Sequence, residues 1–280
     1  MSRLAERDFW DVRHERVLRG SAGAHRPRFG DAARRRVGAV SGETYSDFLL
    51  RMLMQRYMPA NTNWKAIEIG CAPGRNLIKL HDTLGYQPYG VEYSAAGVVQ
   101  TRAIFAEHGF PVENVIESDL FAPEFQAAHA ARYDAVLSFG FIEHFDDPRP
   151  AIDAHVNLTG PGGFVFLTIP NLVGPNRWLM RLAARDLLNI HNLAIMQRRA
   201  FRALFERNDL QVEFCGAVGQ FHAFGLILRH EQSLRGRFWR VVDRFSDFAN
   251  YLMFAWLRGR SFETGWSPYL VCVARRVEAP

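Results

Sequence analysis

From Trp64 onward the chain alternates short apolar runs with segments of helical length, and this alternation restricts the fold more than any other feature. WKAIEI precedes a helical stretch through Leu77 and Leu80, and PYGVE precedes one through Val98, Val99 and Phe105. PVENVIESD, YDAVLSFG and GGFVFLTI follow as further strands. A helical stripe at Ala200, Phe201, Leu204 and Phe205 then leads to the strand LQVEFCGAV and, later, to a last strand SPYLVCVAR. Strands separated by helices imply right-handed crossovers, and hence a parallel, doubly wound α/β sheet. With 280 residues, 48% of them hydrophobic, the chain can build one large core with additions.

The first strand ends in AIEIGCAPGRN, where an acid inside an apolar run gives way to Gly70 and Gly74. In a doubly wound sheet the first strand-to-helix turn approaches a ligand most closely, and glycine removes the Cβ that would block it. The spacing is E-x-G-x-x-x-G, not the G-x-G-x-x-G of a dinucleotide site, and no phosphate-binding lysine follows. Glu68 therefore points to a cationic ligand group, because a buried Glu is rarely left unpaired. Glu92 ends the second strand roughly 20 residues after the turn, where an acid can accept from ribose hydroxyls. Asp119 ends the third and SFGFIEHF the fourth, so four successive strand ends offer polar groups to one crevice. Each has a plainer alternative: Glu92 as a charge at a helix N-terminus, Asp119 as an N-cap, Cys71 as a small packing residue.

As a set, residues 64 to 170 resemble the class I S-adenosylmethionine-dependent methyltransferases, with EIGCAPG standing at their glycine-rich first motif. The resemblance implies a seven-stranded, mostly parallel sheet whose last strand is antiparallel. It implies that Glu68 and Gly70 lie near the methionine amino group, with Cys71, Ala72 and Gly74 curving round the cofactor. It further implies that Glu92 binds the ribose diol, that Asp119 meets the adenine amino group beside Leu120, and that Ser138 and Phe139 line the pocket below the methionine part. Asn76 and Tyr93 join the same set. On this reading residues 61–218 and 266–280 form the cofactor-binding domain, 1–60 an N-terminal helical extension with a basic linker, 170–196 an acceptor-facing segment, and 219–265 a helical insertion or lid.

Methyl transfer from a sulfonium is an in-line displacement in which the protein positions the acceptor and removes its proton when it is a hydroxyl. FIEHFDDP supplies Glu143 and His144 near the end of the fourth strand, and His144 is the candidate base because histidine titrates near neutral pH. Capping or packing over the cofactor is its alternative role. Some quinone-pathway O-methyltransferases look similar here and bind a metal with an extra acid one turn earlier. That position is Gly140 in this chain, and Asp146 and Asp147 at a surface turn are more simply read as solvated, so no metal ligand is assigned. SFGF stands where methyltransferases of DNA bases look to carry an Asn/Asp-Pro-Pro-aromatic tetrapeptide. After the fifth strand, Arg177, Arg181, His191 and Asn192 are candidates for acceptor contacts, with surface charge as the alternative for the arginines. The expected reaction is O-methylation of a small molecule, sugar or lipid-linked precursor. N- or C-methylation of an aromatic or isoprenoid-like acceptor is the rival, and a non-catalytic cofactor-binding scaffold a third reading.

A net charge of +5, carried almost wholly by arginine, permits an anionic partner without naming one. Three scattered cysteines fit a reducing compartment better than a disulfide framework, and the first twenty residues contain no apolar signal core. A cytoplasmic protein is expected. Residues 20 to 42 read as a linker or mobile arm. Between the last two strands, Phe238, Val241, Val242, Phe245, Ala249, Leu252, Met253 and Trp256 keep a helical period. Such a helix lines a pocket, meets a second subunit or lies on a membrane surface.

Overall fold

The computed structural model describes residues 2–21, 45–183, 185–219, 263–277 and eleven positions between 238 and 256. Seven strands form one sheet: β1 (Lys65–Ile69), β2 (Gln87–Glu92), β3 (Val115–Glu117), β4 (Tyr133–Phe139), β5 (Thr159–Pro170), β6 (Leu210–Val218) and β7 (Tyr269–Arg276), in spatial order β3-β2-β1-β4-β5-β7-β6. All pairs from β3 to β5 are parallel, while β7 runs antiparallel between β5 and β6. The order reverses between β1 and β4, so their carboxyl ends open the crevice in which α/β sheets hold ligands. The central strands are buried on both faces, which is why they read as continuous apolar runs.

Eight α-helices have both ends among the described residues: α1 (Arg7–Ser21), α2 (Tyr45–Tyr57), α3 (Arg75–Leu84), α4 (Ala95–Glu107), α5 (Pro123–His129), α6 (Arg149–Leu158), α7 (Gly174–Ala183) and α8 (Arg198–Ala203). The stripe of α2 meets the sheet through Tyr45 and Leu49, and α3 buries Leu77, Ile78, Leu80 and Leu84. Two glycines allow the turn after β1 to close. Gly74 sits at φ 90° before α3, where a Cβ would stand 2.8 Å from Thr101 Cγ2. At Gly97, in the first turn of α4, a Cβ would lie 2.9 Å from both Ala72 Cβ and Glu92 Cγ. The start of α4 thus presses directly on the glycine turn and on the acid that ends β2.

One sequence expectation needs correction. PVENVIESD is a strand only over Val115–Glu117, because the chain leaves Pro111 in a 3₁₀ turn over Val112–Asn114 and the edge strand has one neighbour to pair with. Val99 faces solvent at 59% exposure, whereas Val98 and Phe105 are buried. In the insertion, Phe238, Val241, Phe245, Leu252 and Trp256 are helical but exposed. The face turned inward there carries Tyr251, whose ring lies 5.2 Å from that of Tyr45. The linker expected at residues 20 to 42 falls almost wholly outside the described residues.

Candidate active site

A cavity of about 410 Å³ opens at the carboxyl ends of β1, β2 and β4. Its floor is the glycine turn. Glu68 projects from β1 with Oε1 accepting a hydrogen bond from Asn76 Nδ2 at 3.0 Å, while its buried Oε2 has no partner. Burial pushes the Glu68 carboxyl up to about 8, so it is largely protonated at neutral pH. Glu92 is buried at the end of β2, where Oε1 accepts from the Ser94 backbone N–H at 2.8 Å and Oε2 from that of Ala72 at 3.4 Å. One carboxylate therefore ties the β2 end and the start of α4 to the glycine turn. Burial raises its pKa as well.

Asp119 holds the turn after β3 by accepting from the Phe121 N–H at 3.0 Å, and it also forms an ion pair with Arg3. The chain before α1 runs across the mouth of the crevice. Leu4 N–H donates to the His144 carbonyl at 2.8 Å, Arg3 bridges to Phe145, and Asp146 N–H donates to the Ser2 carbonyl. Arg3, Trp10, Arg13 and His14 all line the cavity. Sequence reading placed no site residue in this segment. A Trp inside the strongly charged run RDFWDVRHER was the available signal.

Glu143 and His144 follow β4 on a 3₁₀ turn, Ile142–His144, and both are buried. His144 Nδ1 lies 2.7 Å from the Ile190 carbonyl, so it carries the proton and leaves Nε2 as an acceptor. Nε2 is 3.8 Å from Glu143 Oε1. The expectation that His144 titrates near neutral pH does not hold. Burial, then the neighbouring His191, pushes its pKa down to about 3, while burial pushes Glu143 up to about 8. At pH 7 this corner is thus a neutral imidazole beside a neutral carboxyl. His191 joins it, with its ring 4.7 Å from that of His144 and its Nδ1 on the Leu187 carbonyl.

Donor atoms of Glu143, His144 and His191 all lie within 4.8 Å of one another. Two imidazoles and a carboxylate, with Glu143 Oε2 buried and unpartnered, form a set that fits a first-row transition ion better than Mg²⁺. Asp147 takes no part; it is exposed and pairs with Arg149 at 2.9 Å.

The cavity lining brings together Glu143, His144 and His191 with Gly70, Ala72, Asn76, Glu92, Tyr93, Asp119, Leu120 and Phe139; Glu68 lies in the floor beside Asn76. Cys71, Gly74 and Ser138 shape it from behind. The Ser138 hydroxyl is fully buried 3.0 Å from His155 Nε2, and Cys71 packs against Thr101. Arg177 and Arg181 are not brought to the cavity, because α7 turns both to solvent and offers Met180 instead. Asn192 also stands aside, its Nδ2 donating to the Phe145 and Asp146 carbonyls, which fixes the loop after His144.

A cation placed beside Glu68 would draw its carboxyl into the charged form, so binding must release a proton below pH 8. We expect affinity for a ligand whose ammonium group sits there to rise by approaching tenfold per pH unit from pH 6 to 8, and to fall once the ligand's own ammonium group deprotonates. Calorimetry in two buffers of different ionisation enthalpy measures the proton. Glu68→Gln should abolish the release.

A crevice at the switch point, with an acid at each of three successive strand ends and a glycine turn beneath, defines a class I methyltransferase domain. The family model described as a methyltransferase domain matches residues 35–213, more than half of the chain, and the chain belongs to that family. S-adenosylmethionine is its methyl donor. The ubiquinone biosynthesis O-methyltransferase of Cronobacter sakazakii is 29% identical over 122 residues, covering 44% of this chain and 48% of that protein. Its counterpart in Leptothrix cholodnii is 27% identical over 122 residues, 44% and 50% of the two chains. The match thus spans about half the length of these curated relatives. Among solved structures, geranyl diphosphate C-methyltransferase from Streptomyces coelicolor A3(2) superposes with a TM-score of 0.53 at 16% identity over 81% of this chain and 78% of that one. The [4+2]-cyclase SpnF superposes at 0.52 with 15% identity over 82% and 81%. These two likenesses establish the fold alone.

Proposed function

We propose that this domain methylates a hydroxyl on a small molecule, sugar or lipid-linked precursor, with His144 taking the acceptor proton. One observation carries the reading: a neutral imidazole, its Nδ1–H fixed by Ile190, presents Nε2 to the cavity wall. As the acceptor oxygen bonds to the methyl carbon, the carbon–sulfur bond breaks and S-adenosylhomocysteine leaves, while the hydroxyl proton passes to Nε2. Glu143, once ionised, lies 3.8 Å from that nitrogen and stabilises the imidazolium. The names of the relatives, O-methyltransferases, support oxygen as the acceptor atom.

A second reading is C-methylation of an apolar acceptor, favoured by the rings of Trp10, Phe139, Phe141, Phe145 and Tyr269 in the lining. Glu143, His144 and His191 would hold a divalent ion if the reaction uses one, and the ion would lower the pKa of an acceptor hydroxyl bound to it. Exposed Trp178 and Leu182 beside Arg177 and Arg181 on α7, with exposed Phe245 and Trp256 further along, support peripheral contact with an anionic membrane. No helix among the described residues is long and apolar enough to cross one. Three unpaired, buried cysteines support a cytoplasmic setting.

The test is methyl transfer from labelled S-adenosylmethionine to a panel of phenols, sugars and prenylated phenols. Runs after chelation and after return of Mn²⁺, Zn²⁺ or Mg²⁺ accompany it, and mass spectrometry locates the methyl group. An O-methylated product is expected; a methyl group on carbon or nitrogen would replace the leading reading.

A further inference from the structure

Arg3 is clamped on three sides at the edge of the crevice. Its guanidinium pairs with the Asp119 carboxylate, sits 5.1 Å from the centroid of the Tyr93 ring, and lies 5.6 Å from that of Phe121. These are the side chains that follow β2 and β3. They are also the walls between which a flat heteroaromatic ring would lie if Asp119 receives its amino group. A planar cation stacked between two rings and paired with the acid between them fills the place that such a ring would need.

The segment carrying Arg3 is fastened at both ends. Toward its start, Ser2, Arg3 and Leu4 are bonded to Asp146, Phe145 and His144. Beyond it, Arg7 reaches Glu117 at 3.5 Å, Ser94 Oγ donates to Asp11, and Gln100 Nε2 donates to the His14 carbonyl. Between these anchors the strap crosses the opening of the cavity, with Trp10 edge-on to His144 at 5.0 Å. On the adenine side Arg3 holds Asp119 while Arg7 meets Glu117 and lies 5.8 Å from the centroid of the Tyr93 ring; the Arg3 and Asp119 side chains remain 23% and 42% exposed, so their contact can open without unpacking the core.

We propose that residues 2–14 form a latch over the adenine end of the crevice, held shut by Arg3 occupying Asp119, so that the cofactor and Arg3 compete for one carboxylate. This rests on the reading of Asp119 as the adenine contact. Cofactor exchange then requires the strap to lift. Because the strap is hydrogen-bonded to the His144 turn, loading the cofactor also resets the loop that carries the proposed base.

The test uses the full chain and S-adenosylhomocysteine, with calorimetry for affinity, stopped flow for association, and hydrogen exchange of residues 2–14 without ligand. Arg3→Ala should tighten binding about 3- to 10-fold, since a competing closed state is removed. It should also speed association and raise exchange in the strap, while Arg3→Lys stays near wild type. Unchanged or weaker binding by Arg3→Ala, at an unaltered thermal midpoint, would overturn the latch, and weaker binding would make Arg3 a cofactor contact. The adenine assignment is tested separately by adding Asp119→Ala, which leaves no side-chain acceptor, to Arg3→Ala. Loss of affinity supports Asp119 as the contact, and no loss removes that contact whatever the strap does.

Discussion

His144→Ala is expected to lower kcat by about 10²- to 10⁴-fold, the usual contribution of a positioned general base, while S-adenosylhomocysteine affinity changes by less than about twofold. The two readouts separate because the strap's hydrogen bond to residue 144 runs through the backbone carbonyl, which the substitution leaves in place, and only the edge-on Trp10 contact is lost. A merely structural role is excluded by the pH profile. With His144 near 3 and Glu143 near 8, kcat/KM should show no limb at 6 to 7. It should instead rise through about 8, because the Glu143 carboxyl gains its charge there and only then stabilises a protonated imidazole. Glu143→Gln should flatten that rise. A variant lacking the imidazole that turns over at the wild-type rate would take His144 out of the chemistry and leave methyl transfer to positioning alone. If His144 acts instead as a ligand, His191→Ala should cost as much as His144→Ala, and added divalent ion should rescue it in part.

Glu92→Ala should weaken binding of S-adenosylmethionine and S-adenosylhomocysteine together by about 100-fold or more. Two hydrogen bonds from ribose hydroxyls to a charged acceptor are worth about 1.5 to 3 kcal/mol each, and tenfold in affinity costs about 1.4 kcal/mol. The same carboxylate also accepts from Ser94 and Ala72, so its removal loosens the junction of α4 with the glycine turn. Affinity is therefore best measured well below the unfolding midpoint, with Glu92→Gln as the variant that keeps the shape of the junction. If Glu92→Ala binds both ligands as tightly as wild type, the carboxylate serves only that junction and the ribose contact is wrong.

Much of this site was legible in the sequence because its signals are local. A strand that buries an acid, turns on glycine and starts a helix carries its meaning within eleven residues, and Glu92 and Asp119 mark the ends of short runs of their own. What escaped depends on long-range packing. Arg3 meets Asp119 across 116 residues of chain, and no period or motif in the N-terminal segment specifies that partner. His191 was read as an acceptor contact, but its place beside His144 was not, because the stretch over Arg185–Ile190 folds back as 3₁₀ turns, whose tight, irregular pitch leaves no stripe to read. The arginines of α7 misled for the opposite reason. Charge suggested a ligand contact, whereas the amphipathic helix sends charge to water and turns Met180 to the cavity. The apolar period around Phe245 left pocket, partner and membrane open; among the described residues there, Tyr251 packs on the sheet side while Phe245 is exposed.

Val218, the last residue of β6, and Tyr269, the first of β7, are direct partners in the ladder. The chain therefore leaves the sheet and re-enters it at adjoining points. Loop-closure cost grows only slowly with length, so the length of the stretch between them makes little demand on the seven strands. Tyr269 stands at the point of re-entry and also faces the cavity. A change of length between those two partners therefore leaves the ladder that carries Tyr269 to the cavity in register.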